Sequence, residues 1–159
     1  MQNKTIFEET QRFTKNPLIW FLIGTMIFVI VLFTIVGETK VEKSNDFYIA
    51  LGGISALFFC IIILFYFLKL RIKVFNNHVE YTLIPFPKNI LRKEDIYSVE
   101  NVKYKPLLEW GGWGIRIKGR NRAYNVYGNK GVKMTLKDGR IILLGSQKSQ
   151  LLYEAILKK

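Results

Sequence analysis

The chain has few of the residues that build metal sites, cross-links and catalytic centres. Its one cysteine, Cys60, excludes a disulfide framework and a zinc site made of several cysteines. Its one histidine, His78, excludes a paired-histidine metal site. No Gly-rich phosphate loop opens a helix, and no serine elbow accompanies His78. We therefore expect a protein that is not an enzyme, with no catalytic residues, no metal and no cofactor.

Charge is absent from two long apolar runs, residues 17–36 and 47–68. Each run has about the 20 residues that a helix needs to cross a bilayer. A chain of 159 residues is too small to surround two helices that are apolar on every side, which disfavours a pair of core helices. A cleaved signal peptide is disfavoured too, because the first run is long and no small-residue cleavage site follows it. We predict two transmembrane helices.

Acidic residues are half as numerous as basic ones, 12 against 24, and the basic ones favour the outer flanks of the two runs. Lys69, Arg71 and Lys73 follow the second run, whereas the cations between the runs are neutralised by acidic neighbours. This bias predicts a multi-pass protein of the cell inner membrane with both termini cytoplasmic. The predicted segments are a cytoplasmic N-terminal segment (1–16), two transmembrane helices (17–36 and 47–68), an external loop (37–46) and a cytoplasmic domain (69–159).

The cytoplasmic part changes to an alternation of apolar and polar residues, which is typical of half-buried strands. The clearest hairpin has Asp138-Gly139 at its turn, and Asn76-Asn77 predicts another tight turn, since Asn tolerates positive φ. An apolar stripe of Leu151, Leu152, Ala155 and Ile156 predicts a helix at the C-terminus. We expect six or seven short strands in an antiparallel sheet that is closed by this helix.

Several short motifs of this domain resemble those of bacterial pleckstrin-homology-like (PH-like) domains. They are Lys93-Glu94-Asp95 before Ile96, the stretch Gly128–Val132, Leu136–Arg140 with Gly145-Ser146, and the terminal Leu151 to Ile156. The chain is also similar to small membrane proteins that carry Gly111-Gly112-Trp113-Gly114-Ile115-Arg116, a similarity that brings no known activity. The resemblance implies two N-terminal membrane helices and a bent antiparallel sheet of about seven strands with a C-terminal capping helix.

The chain also departs from lipid-binding PH domains, which hold phosphoinositides with basic residues around a long first hairpin loop. The corresponding turn here is Asn76-Asn77, with Lys73 as its nearby cation. We therefore do not expect phosphoinositide recognition by that route.

Two groups of residues are candidates for binding. The first group consists of cations that could contact anionic lipid: Lys69, Arg71, Lys73, Arg116, Lys118, Arg120 and Arg122. The second consists of apolar residues in an aromatic, glycine-rich loop that could enter the membrane interface or hold a partner: Leu107, Leu108, Trp110 and Trp113. Each group has structural alternatives. They are the ordinary positive-inside flank for Lys69, Arg71 and Lys73, a solvated strand face with a charged hairpin tip for the other four cations, and a packed bend for the loop.

The sequence thus predicts a membrane-anchored binding or scaffold protein that presents a basic domain at the inner leaflet and reads anionic lipid. The alternative is a protein-interaction module or a subunit of a membrane assembly, including self-association. A membrane-fixed domain without a recognition helix disfavours nucleic acid as a partner.

Overall fold

The computed structural model describes residues 4–40 and 45–158, which form two compact units. The helical unit comprises the described residues of 14–67, and the β unit comprises those of 1–13 and 68–159. The β unit therefore combines a short segment ahead of the helices with the long segment after them.

The helical unit contains α1 (Pro17–Lys40) and α2 (Asn45–Phe67). The Oδ1 atom of Asn16 caps α1 by accepting a hydrogen bond from the backbone N–H of Leu18, 2.9 Å away. Pro17 occupies the first turn, where its missing N–H leaves no bond unmade. The rings of Phe33 and Phe47 lie 6.0 Å apart, in contact between the two helices.

Both helices are long and apolar enough to cross a membrane. Mean hydropathy is 2.8 over Pro17–Ile35 and 2.5 over Asn45–Phe67, and only 6% and 0% of the two windows is buried. Such low burial argues against core helices. Helical backbone also extends into the predicted loop 37–46, because α1 continues through residues 37–40 and α2 begins at Asn45; residues 41–44 lie outside the described residues.

The β unit contains two sheets, so the prediction of one bent sheet of about seven strands is wrong. The first sheet has four antiparallel strands in chain order: β1 (Phe7–Arg12), β2 (Lys69–Val74), β3 (His78–Ile84) and β4 (Asn89–Arg92). The second has five strands: β5 (Ile96–Lys103), β6 (Gly114–Lys118), β7 (Asn121–Asn125), β8 (Lys130–Leu136) and β9 (Ile141–Gly145). Their order is β5–β8–β9–β7–β6, and the β7–β9 pair is parallel.

Strand β1 lies in the N-terminal segment, where the sequence pattern predicts no strand. Its inward residues are polar, since Glu9 and Gln11 are 8% and 3% exposed. Glu9 accepts hydrogen bonds from the Ser146 hydroxyl and the Gln147 N–H, and the Gln11 amide donates to the Gly145 carbonyl. These inward polar residues remove the apolar alternation by which a strand is predicted.

The core of the β unit lies between the inner faces of the two sheets. Leu70, Ile72 and Val74 of β2 are fully buried. The rings of Tyr81 in the first sheet and Tyr124 in the second meet edge to face with their centroids 4.8 Å apart.

Two helices complete the β unit, α3 (Pro106–Trp110) and the C-terminal α4 (Ser149–Leu157). The prediction of a terminal helix is confirmed, and α4 packs against strands of both sheets. Three residues of the predicted stripe belong to its buried face, but Leu151 is 55% exposed. The ammonium of Lys93 holds the end of α4 by donating to the carbonyls of Ala155 and Lys158, and partial burial lowers the pKa of Lys93.

Candidate anion-binding surfaces

Strand β2 places its three cations on one outer face. Lys69, Arg71 and Lys73 alternate with buried residues, so all three side chains leave the sheet on the side away from the core. The antiparallel neighbour β1 adds a fourth cation, because Arg12 is the register partner of Lys69. We call Arg12, Lys69 and Arg71 the basic strip.

One carboxylate, that of Glu8, partly neutralises the far end of this face. Glu8 of β1 lies 3.2 Å from Arg71 Nε and 3.3 Å from Lys73 Nζ. In the described part of the chain, no carboxylate forms an ion pair with Arg12 or Lys69. The positive charge of the face is therefore concentrated at the end of β1 and the start of β2.

The four predicted cations of the β6–β7 hairpin do not form one surface. Arg116 and Lys118 of β6 lie on the outer face of the second sheet, in register with Ala123 and Asn121. Arg122 lies on the opposite face, one residue away from Ala123, and Arg120 lies in the turn. A charge cluster in the sequence is thus divided between two surfaces.

Arg116 is also less available than its neighbours. Its guanidinium packs against Gly112, where an added Cβ would lie 3.1 Å from a terminal nitrogen. Its Nε is buried, and no described residue forms a hydrogen bond with it. Gly112 adopts φ +115°, a conformation that glycine tolerates and other residues avoid. Arg116 therefore contributes to packing beneath this glycine loop more than to an open surface.

Lys118 lines a groove on the outer face of the second sheet, with a volume of about 520 Å³. Lys103, Lys118 and Lys133 supply positive charge, while Leu143 and Trp110 supply apolar surface. Lys133 also forms a 2.8 Å ion pair with Glu100. We call this feature the lysine groove; its mixed lining suits a ligand with both apolar and anionic parts.

The predicted aromatic loop contains the short helix α3, which borders the lysine groove. Lys105 is the N-cap residue of α3, and its backbone N–H donates to the Glu109 carboxylate; Gly111 ends the helix at φ 70°. Leu107 and Leu108 are 64% and 80% exposed.

The two tryptophans of this segment are half-buried and make structural contacts. Trp110 packs against Tyr104, Ala123 and Leu143, and the Trp113 indole N–H donates to the Gly128 carbonyl. Of the four predicted interface residues, the two leucines are therefore the open ones.

Two cations of these surfaces were missed by sequence reasoning. Arg12 joins the basic strip because β1 pairs with β2, and Arg140 lies beside Arg120 and Arg122 in a separate cleft. The polar sequence before Arg12 does not alternate with apolar residues, so it does not predict a strand. The pattern of the hairpin that holds Arg140 does not reveal that β9 pairs in parallel with β7. Both omissions concern strand pairing.

His78 has close neighbours on the first sheet. Its ring stacks on Phe75 at 4.5 Å and lies near Asn77 and Glu80. A hydrogen bond from Lys88 lowers the pKa of Glu80. Within residues 4–40 and 45–158, no group of three or more His, Cys, Asp or Glu side chains could hold a metal ion.

No protein-family model, curated protein or solved structure matches this chain. The PH-like resemblance therefore remains a prediction that rests on the motifs named above. Function has to be inferred from the charges, contacts and exposure of the chain's own residues.

Proposed function

We propose that this protein is an integral membrane protein whose β unit lies on the cytoplasmic side and binds anionic lipid headgroups without catalysis. The observation that carries the proposal is the register pair of Arg12 and Lys69. Arg12 ends β1 shortly before α1 begins, and Lys69 begins β2 directly after Leu68 and the end of α2. The basic strip thus starts where the chain enters and leaves its two apolar helices.

Covalent geometry supports this role. Lys69 is two residues beyond Phe67, so their Cα atoms are separated by no more than about 7 Å. If α2 spans the bilayer, Lys69 lies within reach of the headgroups at its end. A cation near an anionic surface gains about 1 kcal/mol.

The strand order supports a PH-like fold for the β unit. Without the β6–β7 hairpin and α3, seven strands remain, four in the first sheet and three antiparallel strands in the second. They are followed by α4. The terminal helix agrees with what the resemblance implies, whereas the strands are divided between two sheets and β1 precedes the two apolar helices.

The proposal is tested with the full-length chain in bilayers and with spin-labelled lipids. The fraction of spin-labelled lipid whose motion the protein restricts is measured for phosphatidylglycerol and for phosphatidylcholine. The ratio of the two fractions gives the preference for anionic lipid. We expect a preference that falls with ionic strength and that decreases about fivefold per cation in Arg12→Gln and Lys69→Gln.

Lys130→Gln is the matched control, because it removes the same charge from an exposed position at the start of β8 in the other sheet. Equal preference for the two lipids, or an equal loss in Lys130→Gln, would contradict the proposal.

Membrane orientation is tested with a single introduced cysteine. In a Cys60→Ser background, Asn76→Cys provides one thiol on an exposed turn of the β unit. We expect a membrane-impermeant maleimide to label it only after cells are permeabilised. Labelling of intact cells would place the β unit outside.

A second candidate function is the binding of an acidic amphipathic segment of a protein partner, including another copy of the chain. The observation that favours it is the exposure of Leu107 and Leu108 beside the lysine groove. Photo-crosslinking from position 108 tests it, and Lys118→Gln should reduce a specific adduct while Arg12→Gln should leave it unchanged.

A further inference from the structure

The parallel pairing of β7 with β9 brings two turns to the same end of the second sheet. Arg122 pairs with Ile142, and both strands begin just after a tight turn. The turn before β7 contains Gly119 at φ 60°, and the turn before β9 contains Gly139 at φ 81°. Because the two strands run in the same direction, their preceding turns lie side by side.

A side-chain hydrogen bond joins these turns. The Oδ1 atom of Asn121, at the start of β7, accepts from the backbone N–H of Ile141, at the start of β9, over 2.9 Å. Arg120 and Arg140 each precede by two positions a member of the register pair Arg122–Ile142, so they lie side by side in the two turns, near Arg122.

The three arginines line one cleft of about 190 Å³, which we call the arginine cleft. Tyr81 and Asn89 of the first sheet line its opposite side. Pockets for drug-sized ligands usually have volumes of roughly 300–1,000 Å³. The arginine cleft is smaller, so it suits one compact group. Burial raises the pKa of Tyr81 to about 12, which keeps its hydroxyl protonated and able to donate a hydrogen bond.

The cleft has an excess of positive charge. Asp138 is bound by Arg140, through the guanidinium Nε at 2.6 Å and the backbone N–H at 3.0 Å. In the described part of the chain, neither Arg120 nor Arg122 forms an ion pair. Three guanidinium groups and one carboxylate together carry a net charge of +2, which a dianion would balance.

We propose that the arginine cleft binds a phosphate monoester dianion through the guanidinium groups of Arg120, Arg122 and Arg140. Guanidinium forks match phosphate oxygens in geometry and remain charged at every physiological pH. This site uses none of the residues of the basic strip, so it does not rest on the proposed function above.

The experiment is calorimetric titration of the full-length chain in phosphatidylcholine nanodiscs with inorganic phosphate and with glycerol 3-phosphate. We expect saturable binding that weakens about tenfold or more in Arg122→Gln, since a hydrogen bond to a charged group is lost. Lys118→Gln is the matched control, because Lys118 lies on the other face of the same hairpin.

A second set of nanodiscs distinguishes the source of the phosphate. Phosphatidic acid carries a phosphate monoester, whereas phosphatidylglycerol carries a diester. If lipid headgroups reach the cleft, phosphatidic acid should abolish the response to soluble phosphate and phosphatidylglycerol should not. If the natural ligand is soluble, the response to soluble phosphate persists with both lipids. Either result supports the site and identifies the source of the phosphate group.

The proposal is overturned if phosphate binding is not saturable, or if Arg122→Gln and Lys118→Gln bind phosphate equally. Near-UV circular dichroism of Arg122→Gln checks that its fold is retained, and Arg140→Lys serves as a second variant that keeps the charge but loses the fork. Lipid preference through Arg12 and Lys69 is measured separately, so failure of one proposal leaves the other standing.

Discussion

Strand β2 and the β6–β7 hairpin carry similar runs of alternating cations, yet the structure uses them differently. In β2, Lys69, Arg71 and Lys73 share one face, opposite a fully buried row. In the hairpin, Arg116 and Lys118 lie on one face while Arg122 lies on the other. Which cations share a surface therefore depends on the face to which each strand position points and on the neighbouring strands. A turn between two cations can place their side chains on opposite faces of the sheet.

The largest expected effect comes from the apolar residues that alternate with the cations in the two regions. Ile72→Ala removes a fully buried side chain from β2 and should cost about 2–5 kcal/mol of unfolding free energy. Ile117→Ala in the hairpin removes a side chain that is 68% exposed and should cost about 0.5 kcal/mol or less. Denaturant unfolding followed by near-UV circular dichroism measures both; equal losses would show that the hairpin is as buried as β2.

The next effect concerns the attachment of β1, which brings Arg12 beside Lys69. Glu9→Ala leaves the Ser146 hydroxyl and the Gln147 N–H without their acceptor and should cost about 1–3 kcal/mol. Glu8→Ala, on the outer face of the same strand, should cost about 0.5 kcal/mol or less. Hydrogen exchange of β1 and β2 amides reports the change, and faster exchange in both variants alike would contradict the role given to Glu9.

A smaller effect distinguishes the turns of the two regions. Gly139→Ala places a side chain at φ 81° in the β8–β9 turn and should cost about 1–2 kcal/mol through backbone strain. Asn76→Ala in the β2–β3 turn should change stability by about 0.5 kcal/mol at most, because no described residue other than glycine has positive φ. The predicted turn at Asn76-Asn77 is present between β2 and β3, but without the positive φ that Asn tolerates. Thermal unfolding compares the two variants, and a larger loss in Asn76→Ala would reverse the ranking.

The smallest expected effect is the pH dependence of the first sheet. The hydrogen bond from Lys88 holds the pKa of Glu80 below its value in the unfolded chain. Its contribution is therefore present above the unfolded pKa and is lost as the pH falls through the folded pKa. Lys88→Gln should remove about 0.5 kcal/mol or less at pH 7 and nothing at strongly acidic pH.

Unfolding free energies of Lys88→Gln and the unchanged chain at the two pH values measure this difference. Lys137→Gln, a charge removal in the β8–β9 turn, is the control and should show no such pH dependence. A deficit in Lys88→Gln that persists at acidic pH would exclude Glu80 as its source.

Features that depend on short stretches of chain follow from the amino-acid sequence alone. The two apolar helices follow from uncharged runs, most strands after α2 from alternating residues between 70 and 144, and α4 from its apolar stripe. Strands β1 and β4 were not predicted. The cations of β2 were also placed on one face by alternation alone. These features need only neighbouring residues, because a local period decides which side of a strand or helix can be buried.

Features that depend on pairing between distant segments could be seen only in the folded structure. Tertiary structure attached β1 through the buried Glu9 and Gln11, divided the nine described strands between two sheets, and aligned β7 parallel to β9. The basic strip acquired Arg12, and the arginine cleft acquired Arg140, only through those pairings. The physical reason is that strand pairing is selected by the free energy of burying and hydrogen-bonding the whole β unit, to which residues far apart in the chain contribute together.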